Sequence, residues 1–215
     1  MQVNVAQREI TIKLVYYGPA LSGKTTNLSQ IHQLLPKEEC GKLMTLETRN
    51  DRTLFFDLLP LSFDTPNGFK VKAKIFTVPG QVVHNATRRV VLQHTDGVAF
   101  IADSQVDEQI HNRESYKNLL ENLRANRLDS KTIPIVVQFN KQDLGSILSE
   151  EDIRITWSRY SHTLFYASAI QGRGVAETFS GLLKETLSKL DAQYDLASKF
   201  AFDRDEFIRK VTGSI

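Results

Sequence analysis

Cysteine is almost absent from these 215 residues: Cys40 stands alone. A single cysteine excludes an internal disulfide and fits a reducing compartment, and its place beside a loop reads as a passive side chain rather than a nucleophile. Long apolar runs are also missing. None approaches the ~20 residues that cross a bilayer. Met1-Gln2-Val3-Asn4 has no basic stretch leading into an apolar one, so no secretory signal is read there. Gln2 stands where N-myristoylation requires glycine, and Thr212-Gly213-Ser214-Ile215 offers no cysteine for prenylation. The expected location is the cytoplasm, without a direct membrane anchor. Charge of one sign is scarce as well. A net charge of +2 argues for neither nucleic acid nor a polybasic membrane contact. The five histidines show no zinc spacing, and no nucleophile–base pair is visible. What remains is ordinary: 41% hydrophobic and 24% charged, enough to build one domain with a sizeable core.

One stretch breaks this plainness. Gly18-Pro19-Ala20-Leu21-Ser22-Gly23-Lys24-Thr25 fits G-x-x-x-x-G-K-[ST], the phosphate-binding loop. An apolar run, Ile10 to Tyr17, feeds into it, and a helical stretch from Thr26 to Leu35 follows. Glycines at 18 and 23 let successive backbone N–H groups, from Ala20 through Thr26, converge as an anion nest. The positive end of the helix faces the same point. Lys24 then reaches phosphate oxygens, and the Thr25 hydroxyl is placed to ligate Mg²⁺.

Along the chain, Val3–Val5 reads as a short edge strand and Ile10–Tyr17 as a central one. Pro36 stops the first helix. Lys42–Thr48 is strand-like, and Thr48–Thr53 is a polar loop. Leu58–Phe63 and Phe69–Val78 flank an Asn67-Gly68 turn and predict an antiparallel hairpin. Pro79-Gly80-Gln81 breaks the second strand, and Val82–His94 reads as helical or partly ordered. Then strands at Gly97–Ala102, Ile133–Phe139 and Thr163–Ala167 alternate with helices at Asp107–Asn126, a capped start at Ser149, and Val175–Leu190. That alternation predicts an α/β fold: a doubly wound, mostly parallel sheet with one antiparallel edge hairpin. Residues 1–190 form the expected domain and 191–215 a helical C-terminal extension. Leu196, Phe200, Phe207 and Val211 share a helix face there. The face either packs on the domain itself or docks a partner or membrane.

Asn140-Lys141-Gln142-Asp143 follows directly on a predicted strand, where ligands sit in open α/β sheets. A carboxylate at Asp143 can accept from both the ring N–H and the exocyclic amine of guanine. Adenine offers no such pair, and a mismatch of that kind discriminates strongly. The aliphatic stem of Lys141 can lie over a base, and Asn140 can tie this loop to the phosphate loop. Ser168-Ala169, after the last strand, suits a loop whose backbone N–H approaches the base oxygen.

These motifs make the chain resemble the Ras-like small GTPases of the P-loop NTPase class, and more closely the bacterial MglA group. The resemblance spans about Ile10 to Leu190. It is carried by Tyr16-Tyr17-Gly18-Pro19, Asp51-Arg52-Thr53-Leu54-Phe55-Phe56-Asp57, Thr77-Val78-Pro79-Gly80-Gln81, Asp96-Gly97-Val98, Ala102-Asp103-Ser104 and Asn140-Lys141-Gln142-Asp143. It implies a switch that binds and hydrolyses GTP with Mg²⁺ and controls polarity or motility. Thr53 closes over the γ-phosphate and metal, Gly80 offers its N–H, Gln81 orients the attacking water, and Arg52 acts as an arginine finger in cis. The implied partners are a roadblock-type MglB-like activator dimer and polarity or motility effectors at a cell pole. The alternative is a GTP-binding scaffold with little or no hydrolysis; an ATP-dependent enzyme is opposed by Asn140–Asp143. Two positions depart from the common Ras pattern. Thr77 replaces a carboxylate that backs the metal, which predicts weaker metal binding. Ala20 replaces a frequent glycine, which predicts slow turnover that Ala20→Gly relieves.

Overall fold

The computed structural model describes residues 1–46, 56–65, 68–81, 84–200 and 202–213. Strand β2 (Glu9–Tyr17) sits at the centre, after a short β1 (Gln2–Asn4). Its even residues Ile10, Ile12, Leu14 and Tyr16 join the core on one face, and Val15 and Tyr17 join the core on the other. This is the two-residue period of a strand covered on both faces. β1 runs antiparallel along Glu9–Thr11, the half of β2 that β6 leaves unpaired. The carboxylate of Asp96 secures this corner: it accepts from the Lys13 backbone N–H (2.8 Å) and pairs with the Met1 amine.

The sheet order is β3-β4-β5-β2-β6-β7-β8, with β3 Met44–Leu46, β4 Phe56–Asp64, β5 Lys70–Thr77, β6 Gly97–Asp103, β7 Ile135–Asn140 and β8 Leu164–Tyr166. β2, β5, β6, β7 and β8 are mutually parallel. β4 and β5 form the antiparallel hairpin, with Leu58 opposite Phe76 and Asp64 opposite Lys70. β3 adds outside β4, so β4 is not itself the outermost strand. Pro60 is tolerated within β4 because β3 pairs only with Phe56–Leu58. Helices α1 (Lys24–Leu34) and α5 (Val175–Tyr194) cover one face through Leu28, Ile31, Phe179 and Leu183. Helices α2 (Asn85–Val91), α3 (Gln109–Ala125) and α4 (Glu150–Trp157) cover the other through Val91, Leu119, Ile153 and Trp157. Ser149 caps α4, its hydroxyl accepting from the Asp152 N–H at 3.1 Å. Among the described residues no helix is long and apolar enough to cross a membrane.

The tail forms α6 (Leu196–Phe200) and α7 (Arg204–Gly213), set off from α5 by Asp195 in the left-handed region. Leu196, Phe202, Phe207 and Val211 are buried in the α1/α5-side core. Phe207 meets Phe63 of β4 edge-on at 5.2 Å, and Phe200 meets Phe69 at 5.3 Å. The apolar face therefore lies on this domain's own surface; Phe202, between the two helices, completes it.

Parallel strands align their carboxyl ends, so the loops after β2, β5, β6, β7 and β8 gather at one edge of the sheet. The expected Thr48–Thr53 loop, with Arg52 and Thr53, lies outside the described residues. The segment expected as Val82–His94 contributes the shorter α2.

Candidate functional site

The phosphate loop is shaped by steric demands that only glycine meets. A Cβ on Gly18 would lie 2.2 Å from the Ile101 carbonyl oxygen, and one on Gly23 would lie 2.2 Å from Asn140 Nδ2. Gly23 (φ +93) and Leu21 (φ +60) turn the chain through the left-handed region. Helix α1 opens at Lys24 with neither a side-chain cap nor an acidic residue in its first turn. Its leading N–H groups and dipole are thus left for an anion. Lys24 is 7% exposed, and its Nζ donates to Pro19 O (2.5 Å) and Gly18 O (3.2 Å). Burial, and secondarily the Arg88 guanidinium, push its pKa down to about 7, against an opposing pull from Asp57.

Beside Lys24 lies an oxygen cluster built from four elements. Asp57 of β4 is buried, and its Oδ2 accepts from Thr25 Oγ1 (2.6 Å) and Thr77 Oγ1 (2.9 Å). Its Oδ1 accepts from Thr45 Oγ1 (2.9 Å). Thr77 Oγ1 in turn accepts from the Asp57 N–H at 2.8 Å. These residues, with Lys24, Thr26, Pro79 and Gly80, line a cleft of about 380 Å³. A larger groove of about 1060 Å³, between Tyr116, Tyr160, His162 and Lys184, shares no residue with it. Oxygen-only donors with one carboxylate suit a hard cation such as Mg²⁺, which takes its remaining partners from phosphate and water.

The loop after β5 lies directly on the phosphate loop. A Cβ on Gly80 would sit 2.3 Å from Ala20 Cα, so Gly80 meets backbone there. Arg88 holds this loop from behind. It is fully buried, donates from Nε to Pro79 O (2.8 Å) and from Nη2 to Gly80 O, and donates from Nη1 to Asn118 Oδ1 (2.8 Å). Its guanidinium also lies over the Tyr17 ring, 5.4 Å from the centroid. Gln81, next to Gly80, is exposed.

On the other side of the cleft, Asn140 is a brace. Its Nδ2 donates to Ser22 O in the phosphate loop (2.8 Å), and its Oδ1 accepts the Ala169 N–H (2.8 Å). Lys141 (φ +70) pairs with Asp103 Oδ2 at 2.5 Å, which fixes its stem. Ser168 Oγ donates to Asp143 Oδ1 at 2.6 Å. The Ser168-Ala169 stretch, whose backbone N–H is expected near a base oxygen, is tied to Asn140 through the Ala169 N–H.

The fold thus gathers Gly18, Ala20, Leu21, Ser22, Gly23, Lys24, Thr25, Thr26, Gly80 and Gln81 on one side of the sheet edge and Asn140, Lys141, Asp143, Ser168 and Ala169 on the other. Arg52 and Thr53 fall outside the described residues. Sequence reasoning missed Asp57, Arg88 and Asp103 as site residues. Asp57 becomes visible only with the observed hairpin register, whose β4–β5 pairs are symmetric about position 67 and set 57 against 77. Arg88 carried no local signal.

Comparison with known proteins places this arrangement. A family described as the ADP-ribosylation factor family matches residues 2–186. The chain is also 44% identical over 188 residues to "Mutual gliding-motility protein MglA" of Myxococcus xanthus (strain DK1622), an alignment covering 87% of this chain and 96% of that protein. The P-loop, the braced Asn-Lys-x-Asp loop and these matches agree: the chain belongs to the ADP-ribosylation factor family of Ras-like small GTPases and is of the MglA type.

Proposed function

We propose that the chain is a GTP-driven switch that binds GTP with Mg²⁺, hydrolyses it slowly and depends on an activator for speed. The observation that carries this reading is the Asn140 brace. One side chain joins the phosphate loop at Ser22 to the base-side loop at Ala169. Phosphate and base recognition are then held in one rigid frame, which costs little reorganisation on binding.

Each residue has a chemical task. The α1 N-terminus and Lys24 hold the phosphates. Asp143, positioned by Ser168, accepts from guanine, and Lys141, positioned by Asp103, covers the base with its stem. Thr25 and Thr53 would hold Mg²⁺, which would supply positive charge to the phosphates. Gly80 gives its N–H to the γ-phosphate, and Gln81 orients water for in-line attack. The bond from γ-phosphorus to the bridging oxygen breaks as the new P–O bond forms, leaving GDP and phosphate. Arg52 brings a cation to the charge that builds on the transferring group. Loss of the γ-phosphate relaxes the segments around 50–64 and 80–94, and partners read that change.

By resemblance, the activator is a roadblock-type MglB-like dimer and the readers are polarity or motility proteins, with the switch concentrated at a cell pole. A scaffold with little hydrolysis is the second reading. It is favoured by Gly80 resting on the backbone of Ala20, the residue that stands where a P-loop glycine is frequent.

Equilibrium competition against a fluorescent GDP tests the nucleotide assignment. GDP and GTP should displace the probe and ADP should not. Asp143→Ala should lower the preference for guanine by about two orders of magnitude or more. Equal displacement by ADP would overturn the assignment.

A further inference from the structure

Strand β4 has a simple inward face until its last member. Leu59, Leu61 and Phe63 point into the apolar core, and Asp57 continues the same two-residue series. A carboxylate 6% exposed at the end of such a face is costly unless it is satisfied. Here three threonine hydroxyls donate to it, from α1, β3 and β5. Hydroxyl donors satisfy the lone pairs, but among the described residues no counter-ion is in direct contact with the negative charge. Lys24, the nearest cation in the cleft, spends its Nζ on Pro19 and Gly18 carbonyls.

The position of this charge is informative. Thr77 ends β5 where the common switch motif carries its metal-backing carboxylate. Asp57 stands opposite Thr77 on the neighbouring strand, and its Oδ2 lies 2.9 Å from the Thr77 hydroxyl and 2.6 Å from that of Thr25. A hydroxyl that gives its hydrogen to a carboxylate turns its own lone pairs outward, toward a cation. We propose that Asp57 is the metal-anchoring carboxylate of this site: it reaches across from β4 to orient the Thr25 hydroxyl and supply the negative charge that Thr77 lacks. Mg²⁺ binding is then as tight as in a site with the usual carboxylate, which reverses the expectation drawn from Thr77 alone. Asp57 acts through Thr25 and is a positioning residue. The assignment rests on the guanine-nucleotide reading above and adds the residue that tunes its metal.

The test is the rate of release of a fluorescent GDP, chased with unlabelled GDP, across a titration of free Mg²⁺ buffered with EDTA. In wild type, Mg²⁺ should slow release with a single midpoint. Asp57→Asn keeps the shape and removes the charge. Its midpoint should move to about 10–100-fold higher Mg²⁺, a larger change than any in its release rate in EDTA. Asp57→Thr/Thr77→Asp, which returns the carboxylate to the other strand, should restore the midpoint; it also decides the matter if Asp57→Asn folds poorly. An unchanged midpoint in Asp57→Asn would overturn the proposal. So would faster release by one factor at every Mg²⁺ concentration, EDTA included, because that pattern marks a purely structural role. A double variant that binds GDP but stays insensitive to Mg²⁺ would also overturn it. Failure of wild type to bind the GDP probe at all would remove the guanine-nucleotide reading itself.

Discussion

In the proposed reading nucleotide binding turns on Lys24, and the fold holds that residue in an uncomfortable state. An ammonium buried beneath its own loop, with Arg88 also nearby, has its pKa lowered to about 7. Bound polyphosphate supplies the opposite charge and must raise that pKa. The linkage has a definite sign. Below about pH 7 the free protein already carries the proton; above it, binding must draw a proton from solvent. Affinity for GDP should therefore fall as pH rises from 7 toward 9. Calorimetry at pH 8 in buffers of different ionisation heat should report uptake approaching about one proton per nucleotide. Heats independent of buffer would contradict it. Cys40 shows the opposite case of burial without use: its thiol is pushed up to about 11, so it is a poor nucleophile at neutral pH.

At the scale of elements, the hairpin β4–β5 connects the tail to the site. Its inward face carries Phe63 at one end, against Phe207 of α7, and Asp57 at the other, against Thr25 and Thr77. Phe207 is buried among Phe63 and Phe202. Phe207→Ala should lower unfolding stability by about 3–5 kcal/mol, whereas exposed Lys199→Ala on α6 should stay within about 0.5 kcal/mol. Urea unfolding checks both, and equal small effects would mean that α7 is not part of the core. The same elements show what was legible in the sequence. Contiguous motifs were: the phosphate loop, Asn140–Asp143 and the strand–helix alternation are local patterns with local causes. The hairpin and the strand-like stretch that became β3 were legible, but β3's place outside the hairpin was not, because three residues carry too little periodicity to reveal their partner. Asp57 and Arg88 escaped because their roles depend on cross-strand register and on packing between α2, α3 and the loop after β5.

For the whole molecule, the two cores on opposite faces of one sheet give a rigid frame. The catalytic loops project from a single edge of it. Gly80 rests against the phosphate loop, and Arg88 grips Pro79 and Gly80 from behind. In the proposed switch, such a frame transmits the presence of one phosphoryl group by rearranging those loops, which couples hydrolysis to a surface change. The most direct test is single-turnover hydrolysis of GTP by this protein, alone and with the MglB-like protein of its own organism. The switch reading predicts slow turnover alone, marked acceleration by the partner, and loss of that acceleration in both Gln81→Leu and Arg52→Ala. Tight GTP binding without turnover under any of these conditions would contradict it and leave the scaffold in its place.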